Sequence, residues 1–180
     1  TAAVDMFVVV TATFQLLYAL VVLGHERRKV IHFNVTPNPT QGWLARQITE
    51  AFPWDTAPRF LLRDRDASYG QTFRARVQAM AIEEVITAPR SPWQNAYVER
   101  IIGSTRRECL NHVIVFDERH LRRVLSAYFE YHHRTRTHFS LDKDCPEPRP
   151  IQPPPAGTVV AVVAFPQVGG LHHRYERLAA

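Results

Sequence analysis

Residues 91–109 read SPWQNAYVERIIGSTRREC and carry the pattern of an amphipathic helix. Side chains suited to a core recur at three- and four-residue steps, at Val98, Ile101, Ile102, Thr105 and Cys109. Ser91 is a suitable N-cap, Pro92 suits the first helical position, and Gln94 would complete a capping box. The stretch therefore predicts a helix that begins at Ser91 and packs one apolar face on a core.

One acid stands beside that apolar stripe. Glu99 follows Val98, and Arg106 comes two turns later on about the same side of the helix. By itself, an acid at such a position is most often a solvated surface residue. A functional role depends on whether other parts of the chain bring partners to Glu99.

The composition is that of a globular domain with a basic balance. Of the 180 residues, 46% are hydrophobic, which is enough to build a core. The formal net charge is +5, and nearly all the positive charge is arginine, since Lys29 and Lys143 are the only lysines. Arginine binds phosphate in a bidentate manner, so the charge favours a polyanionic partner. A codon bias in a GC-rich genome would explain the arginine excess equally well.

The cysteines and the absence of targeting patterns indicate a cytoplasmic protein. Cys109 and Cys145 are far apart and fit neither a disulfide framework nor a zinc site. No apolar run is long enough to span a membrane, and the N-terminus lacks a charged-then-apolar signal sequence. We therefore expect a reducing cytosol and no membrane partner. Thr1 is not a natural start, so we also expect sequence upstream of it.

The first third of the chain predicts an antiparallel meander. Residues 4–13 form a β-branched and aromatic run that suits a strand buried on both faces. Residues 16–24 and 30–35 are the next strand candidates, and their short connections require antiparallel pairing. A helix is expected over residues 42–52.

The following residues alternate strands and helices, which is typical of parallel pairing with helical crossovers. The predicted elements are a strand at 59–62, a helix at 71–81, a strand at 84–88, the helix at 91–109 and a helix at 117–134. The predicted fold class is α/β, with a five-stranded mixed sheet of three antiparallel and then parallel strands, flanked by helices. Residues 1–145 would form this domain.

Residues 146–180 change character. Prolines at 146, 148, 150 and 153–155 predict a stiff linker. Beyond it we expect a strand at 158–165, a turn at Gly169 and Gly170, and a short basic end. This β-rich tail is too small for a core of its own, so it should dock on the main domain or on a second protomer.

Besides Glu99, two further acids, Asp5 and Asp64, lie at positions where an α/β sheet can form a functional site. Asp5 lies at the front of an apolar strand, and a buried unpaired acid is costly unless a cation compensates its charge. Asp64 directly follows a strand, at the end of the sheet where α/β proteins place their sites. Each also has a purely structural interpretation, as a solvated strand cap for Asp5 and as a loop acid paired with Arg63 or Arg65 for Asp64.

If Asp5, Asp64 and Glu99 converge, they form an oxygen-rich site that suits Mg²⁺ or Mn²⁺. Two such ions activate the attacking oxygen and stabilise the leaving oxygen in phosphoryl transfer. With arginines nearby, the phosphate of a nucleic acid would be the group attacked.

The segments around these acids resemble the integrase catalytic core of bacterial insertion-sequence transposases, which are related to the retroviral integrases. The matching segments are VDMFVVVTA with Asp5, RDRDASY with Asp64 and PWQNAYVERIIGSTRREC with Glu99. Residues 131–146, YHHRTRTHFSLDKDCP, are similar to a Tyr-Asn-x-x-Arg-x-His-x-x-Leu segment of these enzymes, through Arg136, His138 and Leu141. The resemblance covers about residues 4–150.

The resemblance implies a ribonuclease-H-like fold with Asp5, Asp64 and Glu99 as catalytic, metal-binding acids. It implies a divalent-metal-dependent polynucleotidyl transferase, a transposase or integrase, with two Mg²⁺ or Mn²⁺ ions per active site. Such enzymes cut the ends of a mobile element and join the freed 3′-hydroxyl to target DNA. Because two ends are held together, a homodimer or larger assembly is expected. Family members usually carry an upstream DNA-binding helix-turn-helix region, which we expect to be absent from residues 1–180.

The turn after the second acid departs from the family pattern. Asp64-Arg65-Asp66 stands where Asp-Arg-Gly or Asp-Asn-Gly is usual, so either Asp64 or Asp66 is the second ligand. Asp64 is preferred because Arg65 and Tyr69 then fall at the matching offsets. Two further departures are His132-His133 in place of Tyr-Asn, and Ala3-Val4 where a Trp often precedes the first acid.

Polar side chains around the Glu99 helix are candidate DNA contacts. They are Arg90, Trp93, Gln94, Asn95, Arg106 and Arg107. The alternatives are that Trp93 packs on the core, that Asn95 supports the helix cap, and that Arg106 forms a surface ion pair.

Two other functions fit the sequence. A structure-selective nuclease of the same fold would cleave branched DNA without joining it. A catalytically defective remnant would bind DNA or a partner transposase without cleaving DNA.

Overall fold

The computed structural model describes residues 1–53, 55–153 and 160–179. The chain divides into two compact units, Thr1–Arg122 and Arg123–Ala180. The predicted boundary between a catalytic core and a tail, after residue 145, stays a prediction. Residues 154–159, which include part of the predicted proline-rich linker and the start of the predicted tail strand, lie outside the described residues.

The elements follow the predicted order along the chain. The strands of the first unit are β1 (Ala2–Val10), β2 (Leu16–Gly24), β3 (Val30–Thr36), β4 (Phe60–Arg63) and β5 (Glu83–Ile86). The helices are α1 (Gln41–Ala51), α2 (Gln71–Ala79), α3 (Ala96–Glu108) and α4 (Glu118–Arg134), and a 3₁₀ turn at Pro92–Asn95 precedes α3.

The five strands form one mixed sheet in the order β3-β2-β1-β4-β5. β1 and β3 pair antiparallel with β2, as their short connections require. β4 pairs parallel with β1 and with β5. The predicted combination of three antiparallel strands and further parallel strands is confirmed.

The main core lies on one face of this sheet, where α1 and α2 pack. Its buried members are Ala2, Val4, Leu20, Val22, Leu44, Ile48, Ala51, Phe52, Leu61, Tyr69, Phe73, Val77 and Ile82. Side chains alternate along a strand, so Asp5 and Phe7 of β1 point to the other face. There α3 contacts β1 and β2, and the Arg106 guanidinium of α3 lies 5.3 Å from the centre of the Phe7 ring. The predicted apolar stripe of α3, at Val98, Ile101, Ile102, Thr105 and Cys109, is buried.

Two local predictions are wrong. β1 ends at Val10, and Val8 and Val10 are 36% and 52% exposed, so the second half of the strand is not buried on both faces. Ser91 and Gln94 do not form a capping box. The Ser91 hydroxyl donates to the Pro89 carbonyl, and the Gln94 side chain accepts from the Ala88 N–H at 2.7 Å. The α-helix therefore begins at Ala96, after the 3₁₀ turn.

In the second unit, β6 (Val160–Gln167) and β7 (His172–Ala179) form an antiparallel hairpin. Gly169 and Gly170 make the predicted turn, with φ of +65° and +92° that glycine adopts without steric cost. The predicted basic end is the strand β7. Both cysteines are buried free thiols. Among the described residues, no helix has the length and apolar character needed to cross a membrane.

Candidate active site

Asp5 lies on β1 just beyond the residues that pair with β4. β4 pairs with β1 only at Ala2 and Ala3. Along the same edge of β1, the Val4 carbonyl accepts from Asn95 Nδ2 at 3.4 Å and the Val8 carbonyl accepts from Arg106 Nη2 at 3.1 Å. The Met6 N–H, between these carbonyls, donates to Asp5 Oδ1 at 2.7 Å. Beyond the two residues that pair with β4, backbone groups along this edge of β1 thus form hydrogen bonds with side chains.

Asp64 directly follows β4 and is half-buried, whereas Asp66 is exposed. Asp64 Oδ1 accepts from the Asp66 N–H at 3.1 Å, and Asp66 Oδ1 accepts from the Ser68 N–H at 2.7 Å. These bonds are typical of consecutive Asx turns, which fix the path of the chain after a strand. The turn can therefore form without the glycine that the family pattern has at the third position.

The neighbouring arginines have other partners. Arg63 is 2% exposed and donates to Glu84 at 2.5 Å and to the backbone carbonyl of Asp64 at 2.8 Å. Arg65 Nε donates to the Thr87 carbonyl at 2.9 Å. Within the described residues neither guanidinium forms an ion pair with the Asp64 carboxylate, so the interpretation of Asp64 as a paired loop acid is not supported.

Glu99 lies in the first turn of α3 and is exposed. Its negative charge acts on the carboxyl group of Asp5. Burial raises the pKa of Asp5 to about 7, and the charges of Glu99, Asp64 and Asp66 add to the increase, while the Met6 N–H opposes it. The charges of Glu99 and Asp64 thus both act on Asp5, and the charge of Asp66 acts on it as well. Even so, no three His, Cys, Asp or Glu side chains of the described residues lie close enough to hold one metal ion.

Tyr69 is a neighbour of these acids whose position the sequence did not predict. Its ring packs in the main core, 4.8 Å from the Phe73 ring, with the Arg63 guanidinium 5.3 Å from its centre. The hydroxyl is buried and has no hydrogen-bond partner among the described residues. Burial, together with the charges of Asp5 and Asp64, raises the pKa of Tyr69 well above its usual value. In the sequence, the only indication of this residue was that Tyr69 lies at the spacing from Asp64 that the family pattern has.

The predicted DNA contacts before α3 divide into exposed and buried side chains. Trp93 is 70% exposed, so the alternative that it packs on the core is not supported. Arg90 is also exposed, on a backbone with φ of +56°, and Gln94 is exposed but bonded to Ala88. Asn95 is only 3% exposed and holds the Val4 carbonyl rather than the helix cap.

Arg106 and Arg107 lie in the last turn of α3, and both are exposed. The predicted alternative for Arg106 was a surface ion pair. Instead it bonds the Val8 carbonyl and covers the Phe7 ring, so it connects α3 to β1.

Arg106→Ala should lower the free energy of unfolding by about 1 to 2 kcal/mol, because it removes a charged hydrogen bond and a cation–π contact at a partly solvated position. Urea denaturation followed by circular dichroism would measure this change. Arg107→Ala is the matched control and should change stability by less than about 0.5 kcal/mol. Equal effects of the two substitutions would contradict the connecting role of Arg106.

A five-stranded mixed sheet of this order, flanked by helices, is the ribonuclease-H-like fold of integrase and transposase catalytic cores. Residues 80–146 match a family model described as the integrase core domain. An uncharacterized 39.2 kDa protein of insertion element IS476 from Xanthomonas euvesicatoria is 26% identical over 125 residues, which are 69% of this chain and 36% of that protein. The chain therefore spans about a third of the length of this curated relative.

Solved structures show the same fold at low sequence identity. A chain of the simian T-cell lymphotropic virus intasome, solved with the PP2A regulatory subunit B56 gamma, has a TM-score of 0.65 and 16% identity, over 97% of this chain and 65% of that one. The HTLV-2 integrase catalytic core domain in complex with magnesium has a TM-score of 0.59 and 10% identity, over 81% and 91%. The catalytic domain of Mos1 mariner transposase has a TM-score of 0.57 and 12% identity, over 72% and 69%. The predicted resemblance and fold class are confirmed.

Proposed function

We propose that the chain is the catalytic core of a DNA transposase or integrase that cleaves DNA ends and transfers strands. Asp5, Asp64 and Glu99 are the proposed metal-binding, catalytic acids. The observation that carries the proposal is their electrostatic interaction, since charges from the turn after β4 and from α3 help to raise the pKa of Asp5 on β1. The chain that carries these acids has the fold of integrase and transposase catalytic cores.

The donor set fits a hard divalent cation. All three side chains offer carboxylate oxygens, which Mg²⁺ and Mn²⁺ prefer, and their mutual repulsion is the kind that such a cation relieves. When bound, two ions would polarise the phosphate and stabilise charge on the attacking and leaving oxygens. Glu99 is exposed, so a large part of its side chain lies in solvent, where it can rotate.

The other residues position this site or contact DNA. Asn95 and Arg106 already bond the β1 edge, so we assign them a positioning role beside Asp5. Arg90, Trp93 and Arg107 are exposed and are the proposed contacts to phosphate and base. Gln94 is exposed as well, and its bond to the Ala88 N–H would orient the loop that carries them.

The purified chain, incubated with supercoiled plasmid and a labelled duplex that ends in a 3′-hydroxyl, tests the proposal. With Mn²⁺ or Mg²⁺, nicked plasmid and label joined covalently to it are expected, and EDTA should abolish both. Nicking without joining would favour the structure-selective nuclease. DNA binding without either reaction would favour the defective remnant. Failure to bind or cut any DNA would contradict the proposal.

We also propose that the working unit contains at least two copies of the chain, because strand transfer from an element requires two ends held together. Light scattering after size-exclusion chromatography, with and without the DNA duplex, would measure its size. A monomer that remains active at all concentrations would contradict this part of the proposal.

A further inference from the structure

A cavity of about 300 Å³ lies beside the start of α3. Its lining residues come from the residue after β2, from β4, from the 3₁₀ turn and from the first residues of α3. They are His25, Leu62, Trp93, Gln94, Asn95, Ala96 and Tyr97. None of the proposed metal-binding acids lines it. The volume is at the lower end of the range of about 300–1,000 Å³ that is usual for ligand pockets, so it suits one small ring system.

Three of the seven lining residues, His25, Trp93 and Tyr97, carry aromatic rings. Trp93 is 70% exposed and Tyr97 is 41% exposed, so both rings present apolar surface to solvent. The His25 ring meets Tyr97 edge-on, with centroids 5.1 Å apart and an angle of 84° between the planes. The Arg28 guanidinium lies 4.7 Å from the centre of the Tyr97 ring and adds positive charge. Such a surface favours a flat, apolar face near a phosphate.

Two polar atoms of the lining residues are unsatisfied. Asn95 Oδ1 and His25 Nε2 are buried and have no hydrogen-bond partner among the described residues. Buried polar atoms without partners are costly, and both atoms are shielded from bulk water. Asn95 and His25 line the cavity, so rotation of either side chain would bring its unsatisfied atom to a ligand that carries hydrogen-bonding groups on its edge. Burial also lowers the pKa of His25, which favours a neutral ring there.

We propose that this cavity binds one unpaired nucleobase of the DNA substrate. The base stacks on Trp93, its edge faces Asn95 and His25, and its phosphate lies near Arg28. Flat faces, a hydrogen-bonding edge and an attached anion are together the properties of a nucleotide. The inference rests on the proposed function, because it assumes that DNA is the substrate, and it assigns a base-binding role to residues outside the acid cluster.

Binding of DNA with one unpaired base tests this assignment. Fluorescence anisotropy in EDTA would compare a duplex with a single-base overhang against the same duplex with an abasic overhang. The wild-type chain should bind the base-containing end about 5- to 150-fold more tightly, which corresponds to the stacking of one base. Trp93→Ala should remove this preference, and Trp93→Phe should retain part of it. Quenching of intrinsic tryptophan fluorescence by the base should disappear in Trp93→Ala.

Phe14→Ala is the matched control, because Phe14 is an 86% exposed aromatic residue that does not line the cavity. It should leave the base preference unchanged. Equal affinity of the wild type for the base-containing and abasic ends would overturn the base pocket and leave the proposed strand-transfer function intact. If no DNA binds, the proposed function fails and the pocket assignment fails with it.

Discussion

Asp64→Asn and Glu99→Gln should each lower metal-dependent nicking and joining by at least about 10³-fold. Loss of one anionic ligand from a divalent-ion site forfeits several kcal/mol of transition-state stabilisation, and each 1.4 kcal/mol corresponds to a factor of about ten in rate. Both substitutions keep the size of the side chain and remove its charge. Asp64 is half-buried and Glu99 is exposed, so the variants should fold. Rates of plasmid nicking in Mn²⁺, with circular dichroism spectra of each variant, measure the effect.

Asp66→Asn is the matched control for the second ligand. Asp66 is exposed and accepts from the Ser68 N–H, a bond that an asparagine oxygen can also accept. Its substitution should therefore change the rate by less than about tenfold. If Asp66→Asn inactivates the protein and Asp64→Asn does not, Asp66 is the second ligand. If neither these two variants nor Glu99→Gln changes the rate, the metal-site hypothesis is wrong.

The elements were predictable because they depend on patterns that repeat along the chain. β2 occupies residues 16–24 as predicted, since a run of apolar and β-branched residues specifies a buried strand by itself. The buried stripe of α3 follows from its three- and four-residue spacing. Short connections leave only antiparallel pairing for β1, β2 and β3, so the order of half the sheet followed as well.

The edge of β1 was not predictable because it depends on the length of another strand. β4 has four residues and covers only Ala2 and Ala3 of β1. The remaining edge requires donors from elsewhere, and Asn95 and Arg106 supply them. Nothing in the local sequence distinguishes these side chains from exposed DNA contacts. For the same reason Gln94 satisfies the capping-box pattern and yet bonds Ala88, a partner that the chain brings to it only on folding.

Each candidate acid could be identified from the sequence, but the arrangement of the three acids in space could not. Asp5 is conspicuous because it sits in an apolar strand, and Asp64 because it ends one. Their distances depend on how β1, β4 and α3 pack, and one-dimensional patterns do not contain that information. The interaction of Arg63 with Glu84 and the burial of Tyr69 beside the acids are similar cases, since each joins elements distant in the sequence.

Asp5→Asn should stabilise the metal-free protein at pH 8 while it abolishes activity. The pKa of Asp5 is raised from 3.8 to about 7, so between these pH values the folded state holds one proton more than the unfolded state. The free energy of unfolding then falls as pH rises, by up to about 4 kcal/mol in total, and the loss is complete above the folded pKa. Asparagine stays neutral and can still accept from the Met6 N–H, so the variant avoids this loss.

Urea denaturation of both proteins in EDTA, from pH 4 to pH 8, measures the difference, and titrating groups that do not interact with Asp5 cancel in the comparison. Near pH 4 the two stabilities should be similar, and at pH 8 the variant should be the more stable. Added Mn²⁺ should narrow this difference, because at 100 times its Kd an ion stabilises a folded protein that binds it by about 2.7 kcal/mol. The variant lacks one ligand and should gain less. If the difference in the free energy of unfolding does not change with pH, the conclusion that Asp5 is buried near other acids is wrong. A difference that Mn²⁺ does not alter would instead contradict its role as a metal ligand.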